Sequence, residues 1–395
     1  MLTAEREIET PRRRNRCHLQ GRRQLKGEAD MPRPGQFRPE SKKKRSGRGH
    51  QKCRQHEESE DQSSVAPFWL RLYARTVRIL VTGGAGFIGS HLVEKLLGGG
   101  DQVAILDDFN DYYDPRIKHE NISSFAGDVA VHQVDLRDAA AVRNLFHREK
   151  FEVIVHLAAR AGVRPSIARP QLYYDTNVAG TLHLLEAARM TGVGRVVFAS
   201  SSSVYGLCPT VPFSEDFHLT QTISPYAATK IAGEFLCSTY AHLYQMRIVA
   251  LRYFTVYGPR QRPDLAIHQF TRRIQAGQSI DQFGDGTTRR DYTYIDDIIQ
   301  GTTAALRYEG PLFDIFNLGE SETIPLRDLI AAVETALGQK AKIRQLPEQP
   351  GDVPLTCADI SKAKKLLGYQ PQTRFKEGLP KFVQWFLGSA ASRAV

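Results

Sequence analysis

The segment Ser224-Pro225-Tyr226-Ala227-Ala228-Thr229-Lys230 sets a tyrosine and a lysine four residues apart, downstream of four consecutive serines, Ser200, Ser201, Ser202 and Ser203. On a helix, positions i and i+4 share a face, so the Lys230 ammonium falls near the path of the Tyr226 phenol. A phenol ordinarily ionises near pH 10. A neighbouring cation favours the phenolate, which turns tyrosine into a base able to take a hydroxyl proton. Such a pair also arises in helices with no chemistry to perform, and its weight here comes from what stands upstream.

There, residues 77–81 form a β-branched run leading into Thr82-Gly83-Gly84-Ala85-Gly86-Phe87-Ile88-Gly89, followed by an amphipathic helix pattern (Phe87, Ile88, Leu92, Val93, Leu96). Gly83 permits a tight turn, Gly86 lets backbone approach a pyrophosphate, and Gly89 lets helix close on strand. The helix start adds unpaired N–H groups and the positive end of its dipole. A second strand, residues 102–106, ends at Asp107, eighteen residues beyond Gly89. That spacing suits a carboxylate that accepts from an adenosine ribose 2′-hydroxyl and repels a 2′-phosphate. The expected cofactor is NAD.

Strand and helix patterns alternate from Val77 onward. Residues 130–134 lead to Asp135 and Leu136, residues 151–155 to His156-Leu157-Ala158-Ala159, residues 195–199 to the serines, and residues 247–252 to Tyr253. Apolar strands separated by amphipathic helices imply a parallel sheet covered on both faces, whose sites gather beyond the carboxyl ends of the strands. The expected fold is α/β, a Rossmann-like doubly wound parallel sheet with a smaller C-terminal α/β substrate lobe. Residues 77–257 are expected to hold the cofactor, and residues 258–395 mainly the second ligand, interleaved with the first. Cofactor contacts are expected from Gly83, Gly86, Phe87, Ile88, Gly89, Asp107, Asp135, Leu136, Leu157, Ala158, Ala159 and Tyr253, with Tyr226 and Lys230 beside them. His156 is expected to shape its strand end without taking part in chemistry.

The net charge of +10 looks like a nucleic-acid signal until it is located. Residues 1–64 hold 17 Lys and Arg against 10 Asp and Glu, leaving only +3 for the remainder. That segment is poor in apolar residues and without periodicity, a disordered composition. A solvated tail or an upstream start codon accounts for it better than a nucleic-acid arm. No apolar core follows its arginines, so no secretory signal is read, and residues 65–73 are too few to span a bilayer. The five cysteines are scattered, odd in number and without metal-ligand spacing, which suits a reducing cytoplasm.

Taken together, Thr82-Gly-Gly-Ala-Gly-Phe-Ile-Gly89, His156-Leu-Ala-Ala159, Tyr174-Asp-Thr-Asn177-Val-Ala-Gly-Thr181, Ser201-Ser-Ser-Val-Tyr-Gly206, Tyr226-x-x-x-Lys230 and Arg290-Asp291 resemble the extended short-chain dehydrogenases that act on nucleotide sugars, over about residues 77–385. Within that family, residues 251–266 and the segment Asp107-Asp-Phe-Asn-Asp-Tyr-Tyr-Asp-Pro115 are similar to the branch that epimerises UDP-glucuronate at C4. The resemblance implies that Tyr226 takes the 4-hydroxyl proton as hydride leaves C4 for NAD. Ser201 is implied to hold the same oxygen, with Ser202 and Ser203 near enough to leave that choice open, and Lys230 to hold the nicotinamide ribose. It further implies substrate contacts at Asn177, Ser202, Ser203, Thr255, Arg262, Phe283, Arg290 and Asp352, and a homodimer built on a four-helix bundle. Thr255 and Arg262 suit a C6 carboxylate, because a guanidinium donates two parallel bonds to one.

Blander readings stand beside these. Arg260 and Arg262 could be solvated loop charges, Thr255 a packing residue, Asn177 an ordinary helix position, Phe283 a core aromatic and Asp352 a turn former. Arg290 and Asp291 could pair locally. A neutral UDP-hexose 4-epimerase and a UDP-glucuronate decarboxylase share the scaffold, and a non-catalytic dinucleotide-fold protein using its basic tail on RNA is the reading from another class. A 4,6-dehydratase fits poorly, since in those relatives an Asp-Glu pair follows the catalytic hydroxyl.

Overall fold

A computed structural model describes residues 77–349 and 351–389. The basic segment 1–64 lies outside them. The strands are β1 (Arg78–Thr82), β2 (Gln102–Asp107), β3 (Ala130–Gln133), β4 (Val153–His156), β5 (Arg195–Ser201), β6 (Arg247–Tyr253), β7 (Thr255–Tyr257), β8 (Ser279–Phe283), β9 (Arg289–Arg290), β10 (Tyr292–Tyr294), β11 (Phe313–Leu318), β12 (Ile324–Pro325) and β13 (Lys342–Leu346). Seven of them make one all-parallel sheet in the order β11-β6-β5-β4-β1-β2-β3. Strand order reverses between β1 and β4, where the chain winds outward in both directions. A crevice opens beyond the strand ends at such a point.

Alternation along the strands decides which face each side chain serves. Ile79 and Val81 of β1, with Val153 and Val155 of β4, pack into one buried cluster; Leu80, Ile154 and Val196 pack into another on the opposite face. Both faces are therefore covered, which is why these strands are apolar throughout instead of alternating with polar residues.

Two helices bring the chemistry to the crevice. The helix Pro225–Tyr244 starts at Ser224, whose side chain accepts from the Ala227 N–H at 3.1 Å, with Pro225 in the first turn; both are helix-start signals. Within it, Gly233 lies against β5, where a Cβ would meet the Phe198 ring at 2.4 Å. Glycine costs a helix roughly 0.5–1 kcal/mol relative to alanine, and that cost is the condition for bringing Tyr226 and Lys230 so close to the sheet. The second helix runs through Pro170–Tyr174 and Gly180–Thr191 with a π-type turn, Asp175–Ala179, between them. Such turns often mark functional positions.

Beyond Tyr257 the sheets are small. β7 pairs with β10, β8 with β13, and β9 with β12. The C-terminal half is not separable from the first, because β11 returns to the main sheet beside β6 and Phe213 bridges to Ala358. Among the described residues no helix is long and apolar enough to cross a membrane.

Candidate active site

A cleft of about 450 Å³ follows the carboxyl ends of β1, β2, β4, β5 and β6. On one side it is floored by the glycine loop. A Cβ at Gly89 would come within 2.1 Å of the Gly83 carbonyl oxygen, and one at Gly83, where φ is +69°, within 2.8 Å of the Ala158 nitrogen. Gly86 caps the helix Phe87–Gly98 without any side-chain hydrogen bond, and no acid stands in its first turn. The first N–H groups of that helix are thus left for an anion, a cradle that fits a dinucleotide pyrophosphate.

Asp107 ends β2 almost fully buried. Its carboxylate accepts from the backbone N–H groups of Ala85 and Phe109, at 3.3 and 3.0 Å, and from Lys118 Nζ at 2.8 Å. Asp135 is gripped by Arg137, while Leu136, Leu157, Ala158, Ala159, Phe87, Ile88 and Tyr253 complete the wall. The cofactor residues expected from the sequence thus all reach one cleft. His156 does not: it is buried under the sheet edge between Thr82 Oγ1 at 2.7 Å and Thr181 Oγ1 at 3.0 Å. Burial first, then the Lys230 charge, pushes its pKa down to about 3, so the ring is neutral.

At the centre of the cleft stand Ser201, Tyr226 and Lys230. The four serines have separate places. Ser200 is buried and donates to Glu234, which is itself held bidentately by Arg252 at 2.8 and 2.9 Å. Ser201 lines the cleft together with Tyr226, and its Oγ accepts from the Ser203 N–H at 3.2 Å. Ser202 and Ser203 line the cleft beside it, and Ser203 Oγ is buried without a hydrogen-bond partner.

The electrostatics depart from the sequence expectation in one respect. Lys230 Nζ donates to the Ala199 carbonyl at 2.7 Å and lies 5.9 Å from the centre of the Tyr226 ring. Burial pushes its pKa down to about 8. The Tyr226 phenol is raised above its ordinary value by burial; the Ser201 hydrogen bond and then the Arg262 charge act in the opposite direction. The charge that favours the phenolate is that of Arg262, expected from the sequence as a substrate ligand or a solvated loop charge.

Beyond these residues the cleft is lined by Thr255 at the start of β7, by Arg262, and by Arg290 and Asp352. Arg262 grips Asp264 through Nε at 2.9 Å and Nη2 at 2.7 Å. Arg260 turns away to Glu94 at 2.9 Å. Asp291 is fully buried and accepts from the N–H groups of Glu320, Ser321 and Ala358, so it does not pair with Arg290.

Two expected substrate ligands do not line the cleft. Asn177 is 3% exposed. Its amide ties both backbone groups of Arg160, at 2.8 and 2.9 Å, and donates to Thr229 Oγ1 at 3.0 Å. It therefore locks the strand end to the Tyr226 helix, with its hydrogen-bonding groups already used. Phe283 is covered by Arg164, whose guanidinium sits 4.6 Å above its ring and bridges to Asp352 at 2.8 Å. Lys118, Tyr112, Arg160 and Arg164 were not singled out in the sequence; the tyrosine-rich stretch after Asp107 was the available signal.

A family model described as GDP-mannose 4,6 dehydratase matches residues 80–382. The chain belongs to this family. Its relatives include UDP-glucuronate 4-epimerase 3 of Arabidopsis thaliana, 44% identical over 333 residues that cover 80% of this chain and 77% of the relative. The UDP-glucuronate 4-epimerase of Thermodesulfobacterium geofontis is 44% identical over 310 residues, 78% of this chain and 95% of the relative. Among solved structures, the UDP-glucuronic acid 4-epimerase from Bacillus cereus, in complex with UDP-glucuronic acid and NAD, superposes with a TM-score of 0.75 at 38% identity, covering 79% of this chain and 99% of that one. The family's extended short-chain dehydrogenase character and doubly wound sheet agree with the cleft described above.

Proposed function

We propose that this protein interconverts UDP-glucuronate and UDP-galacturonate by NAD-dependent oxidation and re-reduction at sugar C4. The observation that carries the substrate reading is the position of Arg262 and Thr255, which line the same cleft as Ser201 and Tyr226, with the Arg262 charge felt at the phenol. Gly83, Gly86 and Gly89 would cradle the NAD pyrophosphate, and Asp107 would accept from the adenosine ribose. Bound NAD would supply a hydride acceptor and donor at C4. Tyr226 removes the 4-hydroxyl proton and later returns one, Ser201 holds the same oxygen, and Lys230 orients the nicotinamide ribose. Thr255 and Arg262 hold the carboxylate while the planar ketone turns over. Ser202, Ser203, Arg290 and Asp352 contact the sugar and diphosphate.

The family model is named for a dehydratase, yet no carboxylate follows Ser201 to drive elimination: Ser202 and Ser203 stand there. We therefore favour epimerisation. The test is incubation of purified protein with UDP-glucuronate, UDP-glucose and UDP-N-acetylglucosamine, followed by sugar analysis. UDP-galacturonate from the first alone is expected; a pentose, or turnover confined to the neutral sugars, overturns the reading.

We further infer a cytoplasmic homodimer, with residues 77–257 serving mainly NAD and residues 258–395 mainly the UDP-sugar. The cysteines Cys208, Cys237 and Cys357 are free. On the helices Gly180–Thr191 and Pro225–Tyr244, Leu182, Met190, Phe235 and Leu243 are 38–67% exposed, apolar surface that a second copy would cover. Sedimentation of Phe235→Glu as a monomer, against a dimeric parent, tests this.

A further inference from the structure

Tyr112 stands between the two sides of the cleft. Its ring centre lies 5.8 Å from the Arg160 guanidinium carbon and 5.5 Å from that of Arg262. The ring is held by its phenol, which donates to the Ala161 carbonyl at 2.8 Å, an oxygen that also accepts from Tyr173 at 2.7 Å. Asp264 fixes Arg262 from another direction, occupying its Nε and Nη2. A guanidinium presents five donors in one rigid plane. With an aromatic ring nearby and one edge taken by Asp264, its Nη1–Nη2 edge remains for a second carboxylate.

We propose that Tyr112 and Asp264 are positioning residues that hold this edge of Arg262 against the sugar carboxylate, and that losing the hold diverts the reaction to decarboxylation even with Arg262 present. The inference rests on the UDP-glucuronate reading above. In the diverted path the C5–C6 bond of the 4-keto sugar breaks and its electron pair passes to the C4 carbonyl as an enolate. Carbon dioxide leaves, C5 takes a proton from water, and re-reduction at C4 gives a UDP-pentose. Decarboxylation needs that bond aligned with the carbonyl π system, so a carboxylate free to rotate reacts where a clamped one does not.

The experiment compares Tyr112→Leu, Tyr112→Phe and Asp264→Asn with the parent. It measures kcat and KM for UDP-glucuronate, the pentose fraction of the product, the affinity for UDP by calorimetry, and bound NAD by absorbance. For Tyr112→Leu and Asp264→Asn a rise on the order of tenfold is expected in KM and in pentose fraction, with UDP affinity and NAD content unchanged. Tyr112→Phe, which keeps the ring but loses its tether to the Ala161 carbonyl, is expected to fall between Tyr112→Leu and the parent. The proposal falls if both Tyr112→Leu and Asp264→Asn keep parental KM and pentose fraction, or if UDP affinity drops by the same factor as KM. Should Tyr112→Leu fail to fold, Asp264→Asn alone decides. A parent that does not convert UDP-glucuronate at all removes the substrate reading and this inference with it; an active parent with silent variants removes this inference alone.

Discussion

Along the side of the cleft proposed for the cofactor, the lining is backbone groups and small residues at strand ends, whereas the side proposed for the sugar is lined by long charged side chains already paired with one another. Gly86 and Gly89 leave space for Gly83 a few residues away, and Gly83 leaves space for Ala158 across the strand ends. Arg262 and Arg164 act through Asp264 and Asp352, and both rest against aromatic rings. A site made from absent side chains tolerates almost no addition. A site made from ion pairs tolerates exchange of partners, which a substrate carboxylate or diphosphate can exploit.

The largest expected effect falls where the two sides meet. Tyr226→Phe removes the base and should lower kcat by about 10²–10⁴-fold, with bound NAD retained; turnover within tenfold of the parent would mean another group takes the proton. On the sugar side, Arg262→Ala strips the carboxylate partner and leaves Asp264 without its cation. Loss of one member of such a pair typically costs about 2–5 kcal/mol, here expected in kcat/KM for UDP-glucuronate with NAD content unchanged. Cofactor loss in that variant would dissolve the division between the two sides.

On the cofactor side a single methyl group should suffice. Gly89→Ala places a Cβ against the Gly83 carbonyl, an overpacking worth about 1–3 kcal/mol. The purified variant is expected without dinucleotide, as read from its absorbance spectrum; full occupancy would show that the loop shifts freely. The smallest effect concerns Glu320, just beyond β11. Burial raises Glu320 to about 7, with Asp297, Asp291 and Glu322 adding to the shift and Arg374, at 2.9 Å, opposing it. Because the folded-state value lies above the unfolded one, stability is highest below about pH 4.5 for this group and falls as pH rises toward 7. Glu320→Gln should therefore melt about 2 °C above the parent at pH 8, with the gap closing by pH 4.5. A gap independent of pH would exclude titration of this carboxyl as the cause.

Asn177 and Phe283 show where reading from sequence ran out. Asn177 is buried, and one face of the partly buried Phe283 ring is covered by a guanidinium. Asn177 spends its amide on Arg160 and Thr229, seventeen and fifty-two residues away. Phe283 is covered by Arg164 from the far side of the chain. Neither contact leaves a trace in local spacing. Arg262 illustrates the reverse case. A substrate role could be proposed from its motif, but its influence on the Tyr226 phenol depends on the helix Pro225–Tyr244 and the segment after β7 lining one crevice. The Lys230 ammonium, which spacing brings near the tyrosine, is instead drawn to the Ala199 carbonyl, because a buried ammonium needs an acceptor.

What the chain's order of residues determined by itself is everything governed by short-range rules: the glycine loop, the acid after the second strand, the capped helix with its tyrosine and lysine, and the parallel sheet that orders them. Those features depend on backbone sterics and periodicity, which act over a few residues. Tertiary structure alone decided where each of the four serines stands, and that Arg252 holds Glu234, Arg260 holds Glu94 and Arg164 holds Asp352. Long side chains choose partners by distance through space, and the fold sets those distances.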